Sequence, residues 1–507
     1  MLKGHPKGLI SAALANMGER FGFYIMMAIL ALFLSSKFGL SESDAGIIYA
    51  TFYALIYILA LAGGFIADKT KKYKQTIFWG LALMTIGYCI IAIPTPTPVP
   101  NLPVYLTLTC LGLLVIAFGN GLFKGNLQAV VGQMYDNDKY RDKRDSGFQI
   151  FYMFINIGAM FAPLIAIAIR NLWLKANNFL YEAKLPELCH QLIGGNISET
   201  NNAELSKLAT EASINGAPAD MMQFANEYLN VFNNGFQYAF AAAVVAMLIS
   251  MTVYLKTQKS LPDPSMKSEE ETNSQAVQMD AKEVKQRIYA LFSVFAVVIF
   301  FWFSFHQNGL TMTYFAKDYT DLSWIQLDLG FVQIKGAEIF QSFNPFFVVF
   351  LTPIIIGIFG WLKSKNLEPS TPKKIAIGMF IAALGFVVMA LGSLNLPDYD
   401  TMKAGGQFVM ASPWILIGTY FILTVAELFI SPLGISFVSK VAPPKYQALM
   451  QGMWLGATAI GNQLLFIGAI FYEHTPQWFT WSVFVIACLI SMFTMLFMIK
   501  WLEKVAK

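Results

Sequence analysis

The stretch NMGERFGFY, Asn16 to Tyr24, sets an acid beside an arginine, Glu19 and Arg20, near the middle of an apolar run from Gly8 to Leu34. A run of that length spans a bilayer. A charge at the centre of such a helix costs roughly 2.5–3.5 kcal/mol on insertion scales, so it faces a water-filled cavity or another charge. Two readings stay open: the pair neutralises itself or ties two helices, or it serves a polar pathway. Adjacent residues point about 100° apart on a helix, so each is expected to find partners elsewhere, with Lys124 and Glu427 as candidates.

Composition agrees with a membrane setting. Of 507 residues, 56% are hydrophobic and only 13% charged, far from the balance of a soluble domain. The net charge of +4 comes from loop lysines and arginines, which in such a chain speak of orientation and not of nucleic acid. The first run is too long for a signal-peptide core and lacks a small-residue cleavage site, so it is expected to be retained. Cys89, Cys110 and Cys488 lie in apolar runs and Cys189 in a long loop, which gives neither a disulfide framework nor a metal spacing. No cofactor is expected.

Runs long enough to span occur at 8–35, 45–68, 75–94, 103–133, 148–173 and 235–256, then at 286–306, 339–362, 373–394, 413–439, 447–472 and 477–501. This predicts an all-α membrane protein of twelve helices in two sixes. The expected parts are an N-terminal bundle over 1–256, a polar linker over 257–285 and a C-terminal bundle over 286–507. Lys and Arg concentrate on the loops that share a side with the termini. By the positive-inside rule, both termini and the linker are expected in the cytoplasm.

Several stretches carry polar chemistry. GGFIADKTKKYK, 63–74, pairs two glycines that allow close helix packing with Asp68 at a basic turn, and PTPTPVPNLP, 94–103, excludes helix and reads as a stiff spacer. FGNGLFKGN, 118–126, thins a helix around Lys124. The charged loop beyond it starts about 18 Å further on, too far for the lysine to snorkel. Residues 171–234 form a polar insertion with candidate amphipathic helices near 203–213 and 219–230, expected as a small helical cap over the outer mouth.

In FFWFSFHQNG, 300–309, His306 reads either as an interfacial histidine satisfied by water or as a proton carrier. Pro345, in FQSFNPFF, frees a carbonyl for Asn344 or a substrate. TVAELFISPLG, 424–434, buries Glu427 just before Ser431 and Pro432. Either it is a structural acid, or it faces Lys124 across a bipolar cavity that suits a zwitterion.

These segments together resemble the proton-coupled oligopeptide transporter (POT/PTR) family of the major facilitator superfamily: GERFGFY (18–24), GLFKGN (121–126), FYMFINIGAMFAPL (151–164), QSFNPFF (341–347), AELFISPLG (426–434) and GMWLGATAIGN (452–462). The resemblance implies the major facilitator fold and import of di- and tripeptides by proton symport, with the two halves rocking about a central site. It implies that Glu427 receives the peptide's amino terminus and Lys124 draws its carboxylate. Asn156 and Asn344 would hold the peptide backbone, and Tyr57, Ser431 and Trp454 would line the pocket. The candidate proton-coupling set is Glu19, Arg20, His306 and Glu427, with His306 read from the chemistry of its own side chain.

The chain departs from the pattern in three places. The E-x-x-E-R motif of the first helix reads Asn16-Met17-Gly18-Glu19-Arg20, so its first acid is missing. Met27 stands where many bacterial members have arginine, and His306 where an acid is common. The expected partners are short peptides or similar zwitterions and the lipid bilayer, without nucleic acid. A monomer in the plasma membrane, here a bacterial inner membrane, is expected. A non-transporting receptor, a carrier of other small zwitterions with different or no coupling, and a membrane enzyme using Glu427, Lys124 and His306 are the alternatives.

Overall fold

The computed structural model describes residues 5–135, 139–140, 143–261, 280–406, 408–443 and 446–505. Most of the expected linker falls outside these residues. Helices α1 (Gly8–Phe38), α2 (Glu42–Thr70), α3 (Tyr73–Ala92), α4 (Leu102–Gln133), α5 (Arg144–Ala176), α6 (Leu185–Ile193), α7 (Glu199–Ala212) and α8 (Met221–Thr257) make the first half. The second half has α9 (Ala281–Phe305), α10 (Thr311–Asp318), α11 (Phe343–Ser364), α12 (Thr371–Gly392), α13 (Tyr399–Lys403), α14 (Pro413–Val441), α15 (Gln447–Gln463), α16 (Leu465–His474) and α17 (Gln477–Val505). A two-residue hairpin, β1 (Leu327–Asp328) with β2 (Gln333–Ile334), precedes α11.

Among the described residues, twelve helical spans are long and apolar enough to cross a membrane. They form two six-helix bundles. In the first, α1 packs on α5 and α8 while α4 packs on α2 and α3; in the second, α12 packs on α14 and α17 while α9 packs on α15 and α17. The bundles meet where α2 runs beside α15 and α16, and α5 beside α11. Twelve crossings return the chain to the face it started from, so "termini face" and "far face" name the two ends below.

Apolar side chains lie on both sides of these helices because the solvent outside is lipid. Phe65, Trp79, Phe350, Ile354, Trp361 and Phe497 are exposed on the outside, where a soluble protein would lose stability. Among the described spans α1 is the most enclosed by protein. The glycines of two separate motifs explain the closeness of α2 and α4: a Cβ on Gly63 would stand 2.1 Å from the Gly121 carbonyl oxygen.

Two expected elements differ. The amphipathic helix near 219–230 and the span at 235–256 are one helix, α8, whose 37 residues reach about 55 Å, well beyond a hydrocarbon core of about 30 Å. Its first turns therefore stand above the far face, where α6 packs against them and α7 packs on α6. The proline-rich segment is more than a spacer. Buried Lys37 donates to the carbonyls of Thr95 (2.5 Å) and Pro96 (3.2 Å) and to Thr97 Oγ1 (2.7 Å), fastening the segment to the end of α1.

Candidate functional site

Between the bundles lies a cavity of about 340 Å³ lined from both halves. α1 contributes Asn16, Arg20, Phe23, Tyr24 and Met27, α2 contributes Tyr49, Tyr53 and Tyr57, and α4 contributes Lys124 and Gln128. From the second half come Trp302 and His306, Asn308, Gln341, Asn344, Tyr420, Glu427, Ser431 and Trp454. Aromatic walls with few charges suit an organic ligand of varied shape.

Lys124 reaches the cavity from a helix whose neighbours are glycines; its Nζ sits 4.2 Å over the Tyr57 ring. It forms no ion pair among the described residues. Glu427 faces in from α14, where Asn344 Nδ2 donates to its Oε2 at 2.9 Å and to Thr424 Oγ1 at 3.0 Å. Asn344 therefore holds the acid and not the carbonyl expected to be freed by Pro345. That proline sits in the first turn of α11, where its missing N–H leaves no helical bond unmade. Trp454 closes on α14 because position 434 is glycine: a Cβ there would stand 2.0 Å from the indole ring.

Glu19 and Arg20 overturn the expectation that each pairs elsewhere. Arg20 Nε donates to Glu19 Oε2 at 2.6 Å and its Nη2 to Oε1 at 2.7 Å. The long guanidinium arm folds back and closes the angular gap between adjacent residues. Lys124 and Glu427 are not their partners. Asn120 Nδ2 adds a bond to Glu19 Oε1 at 2.6 Å, so the carboxylate turns toward α4 and does not line the cavity, whereas Arg20 does.

His306 stands at the seam. Its ring lies 4.8 Å from Trp302 and 4.7 Å from Tyr53 of the opposite half, and its Nδ1 lies 2.5 Å from Asn462 Oδ1. An amide oxygen accepts, so Nδ1 carries the hydrogen. Asn156 is not in the central lining. It donates to the Tyr152 carbonyl and borders a second, more apolar cavity of about 800 Å³ between α5 and α11, with Tyr152 bordering both.

At the far face the halves are tied by charge. Arg170 of α5 pairs with Glu338, both side chains fully buried, and the guanidinium carbon lies 3.9 Å from the Tyr181 ring centre. Glu42, at the start of α2, accepts from Lys317 at 2.9 Å, from Lys403 at 3.4 Å and from the Tyr399 hydroxyl. Glu187 of α6 also pairs with Lys403, and Asn201 Nδ2 donates to the Lys403 carbonyl at 3.0 Å. The insertion is thus a helical element that reaches across to the second half.

Sequence reasoning missed Asn120, Asn462 and this far-face set. Asn120 and Asn462 lay inside quoted motifs, but uncharged amides stand out little among helix residues. Arg170 lies so near the end of the expected run 148–173 that it reads as a loop cation.

The sequence pattern of the POT family matches residues 74–270 and 263–479. The peptide transporter YePEPT of Yersinia enterocolitica is 27% identical over 487 residues, covering 90% of this chain and 86% of its own length. Dipeptide and tripeptide permease B of Xenorhabdus bovienii is 26% identical over 527 residues, covering 99% and 96%. An uncharacterized transporter of Bacillus subtilis, YclF, is 26% identical over 488 residues, covering 94% and 89%. The crystal structure of a glutamate-to-glutamine mutant of the peptide transporter POT superposes with a TM-score of 0.72 at 23% identity, over 100% of this chain and 97% of that one. A POT family transporter in complex with 5-aminolevulinic acid gives 0.71 at 22%, over 100% and 98%. At these identities the structural likeness is one of fold.

Proposed function

The chain belongs to the POT family, and from that membership and the charges of its cavity we infer that it carries di- and tripeptides across a membrane. One observation carries the reading: a lone lysine, Lys124, and a carboxylate, Glu427, line one cavity from opposite halves of a major facilitator fold. A zwitterion answers both charges at once. Glu427 takes the ammonium and Lys124 the carboxylate, while the tyrosine-rich wall accepts varied side chains. The cavity is near the lower end of ligand pockets, roughly 300–1,000 Å³, which favours short peptides.

Transport follows from rocking of the halves. The far-face ion pairs close one end of the path, and they must part for that end to open. With the termini in the cytoplasm, the closed end is extracellular, and an inward proton gradient would set the net direction as import. Proton coupling needs a group that titrates, and Asn16 cannot. His306 is the candidate because its imidazole stands at the seam against Tyr53 of the opposite half, where movement of the halves changes its surroundings.

The test is uptake of labelled dialanine and trialanine into proteoliposomes, with and without an inward proton gradient. Accumulation is expected only with the gradient, and counterflow exchange without it. Exchange alone in both conditions would favour an uncoupled carrier, and no flux of either kind would remove the transport reading. His306→Gln keeps an acceptor and donor toward Asn462 but cannot titrate near neutral pH. It should abolish accumulation and spare exchange; loss of both would make His306 a binding or packing residue.

A further inference from the structure

Asn16 is 6% exposed, it lines the central cavity, and its Nδ2 has no acceptor among the described residues. A buried donor left without an acceptor costs about 1–3 kcal/mol, so a wall that keeps one calls for an explanation. Asn16 and Arg20 are four residues apart on α1 and therefore share a face. Two arms of the Arg20 guanidinium are taken by Glu19, whose carboxylate is turned toward α4. Lys124, lining the same half, sits over the Tyr57 ring and has no ion-pair partner among the described residues. The first half thus offers the cavity donors and cations, and the carboxylate in the lining, Glu427, lies on the other half.

We propose that Asn16 is a substrate-binding residue whose amide Nδ2, sealed from solvent in this structure, turns into the cavity on binding and donates, beside Lys124, to the terminal carboxylate of the peptide. This deepens the peptide reading and rests on it. The chemistry is that of a fixed donor. A carboxylic acid at the same place would donate only while protonated and would repel the ligand once ionised, whereas an amide donates at every pH. Asn16 thereby makes recognition of the carboxylate independent of proton uptake at this position. It also sets orientation, since a ligand entering the wrong way round would put its ammonium against Arg20, Lys124 and the Asn16 N–H groups.

The experiment measures binding of dialanine and of its C-terminal amide, alanyl-alaninamide, to the purified full-length chain. Asn16→Asp keeps the volume but exchanges two donors for acceptors, and Asn16→Leu removes both; thermal melting checks that each variant folds. Dialanine binding is expected to weaken about ten- to a hundredfold, the range for a hydrogen bond to a charged group, and binding of the amide by less than about threefold. Asp should be the more damaging of the two for dialanine. Equal losses for both ligands would make Asn16 a packing residue, and unchanged dialanine binding in a folded variant would overturn the proposal. If the parent chain binds neither compound, the peptide reading itself falls, and this one with it.

Discussion

Lys124 and Glu427 show how much one side chain decides when its surroundings are apolar. Each stood out in the sequence because a charge inside a spanning run is rare, and each lines the cavity between the halves. Deleting either pole leaves the opposite charge of the ligand desolvated without its partner, at a cost of about 2–5 kcal/mol. Lys124→Ala and Glu427→Ala are each expected to weaken dialanine binding at least about thirtyfold with little change in melting temperature. Binding like that of the parent in both variants would make the two residues structural. Asn120 and Asn462 could not be singled out in this way. Their roles come from the acceptor or ring that the fold brings to them, 2.6 Å from Glu19 and 2.5 Å from His306.

The element that most exceeded its sequence signal is the insertion. Its polar composition forecast helices, but not that α6 and α7 would lean on Lys403 of the other half. Burial works against the charge of Lys403, yet Asp318, Glu42 and Glu187 together hold its pKa well above the ordinary lysine value. A raised pKa means the tie persists through neutral pH and is lost only as pH climbs past that raised value. His190 on α6 behaves oppositely. Burial lowers its pKa from 6.5, against the pull of the Ser36 carbonyl and Glu187. Its ring Nε2 donates to that carbonyl at 2.8 Å as a neutral imidazole. A depressed pKa contributes stability that is present above the unfolded value and lost as pH falls through the folded one. Hydrogen exchange across α6 is therefore expected to speed up on acidification below about 6.5, beyond the intrinsic rate change, and His190→Gln should flatten that step. A parent protein with no such step would refute the assignment.

Across the whole molecule, the far face is where the halves are joined by buried charge, and Arg170 with Glu338 is the deepest pair. Breaking a buried pair from one side costs about 3–5 kcal/mol, whereas replacing both partners with apolar groups is often neutral. Arg170→Leu is thus expected to destabilise the far-face-closed state. A cysteine at Asn308, in the cavity wall, should then react faster with an impermeant thiol reagent added from that side. The double variant with Glu338→Leu should bring the rate back toward the parent. An unchanged rate in the single variant would mean that Glu42 and its lysines hold the gate alone. The same reagent tests orientation: a cysteine placed near Glu270 should be protected in intact cells if the linker is cytoplasmic.

The sequence by itself determined that the chain is a membrane protein, how many times it crosses, and which charges need a polar interior. Hydropathy and the cost of a lone charge in hydrocarbon are local quantities, readable one segment at a time. The likeness of the motifs around Lys124 and Glu427 to a transporter family was legible for the same reason, as short stretches of contiguous residues. Only the tertiary structure decided that Arg20 turns back on Glu19, that Asn344 serves Glu427, that Asn156 borders a different cavity, and that the insertion fastens two halves together. Those outcomes depend on side-chain reach and on which helices come to lie side by side, through contacts between residues far apart in the chain.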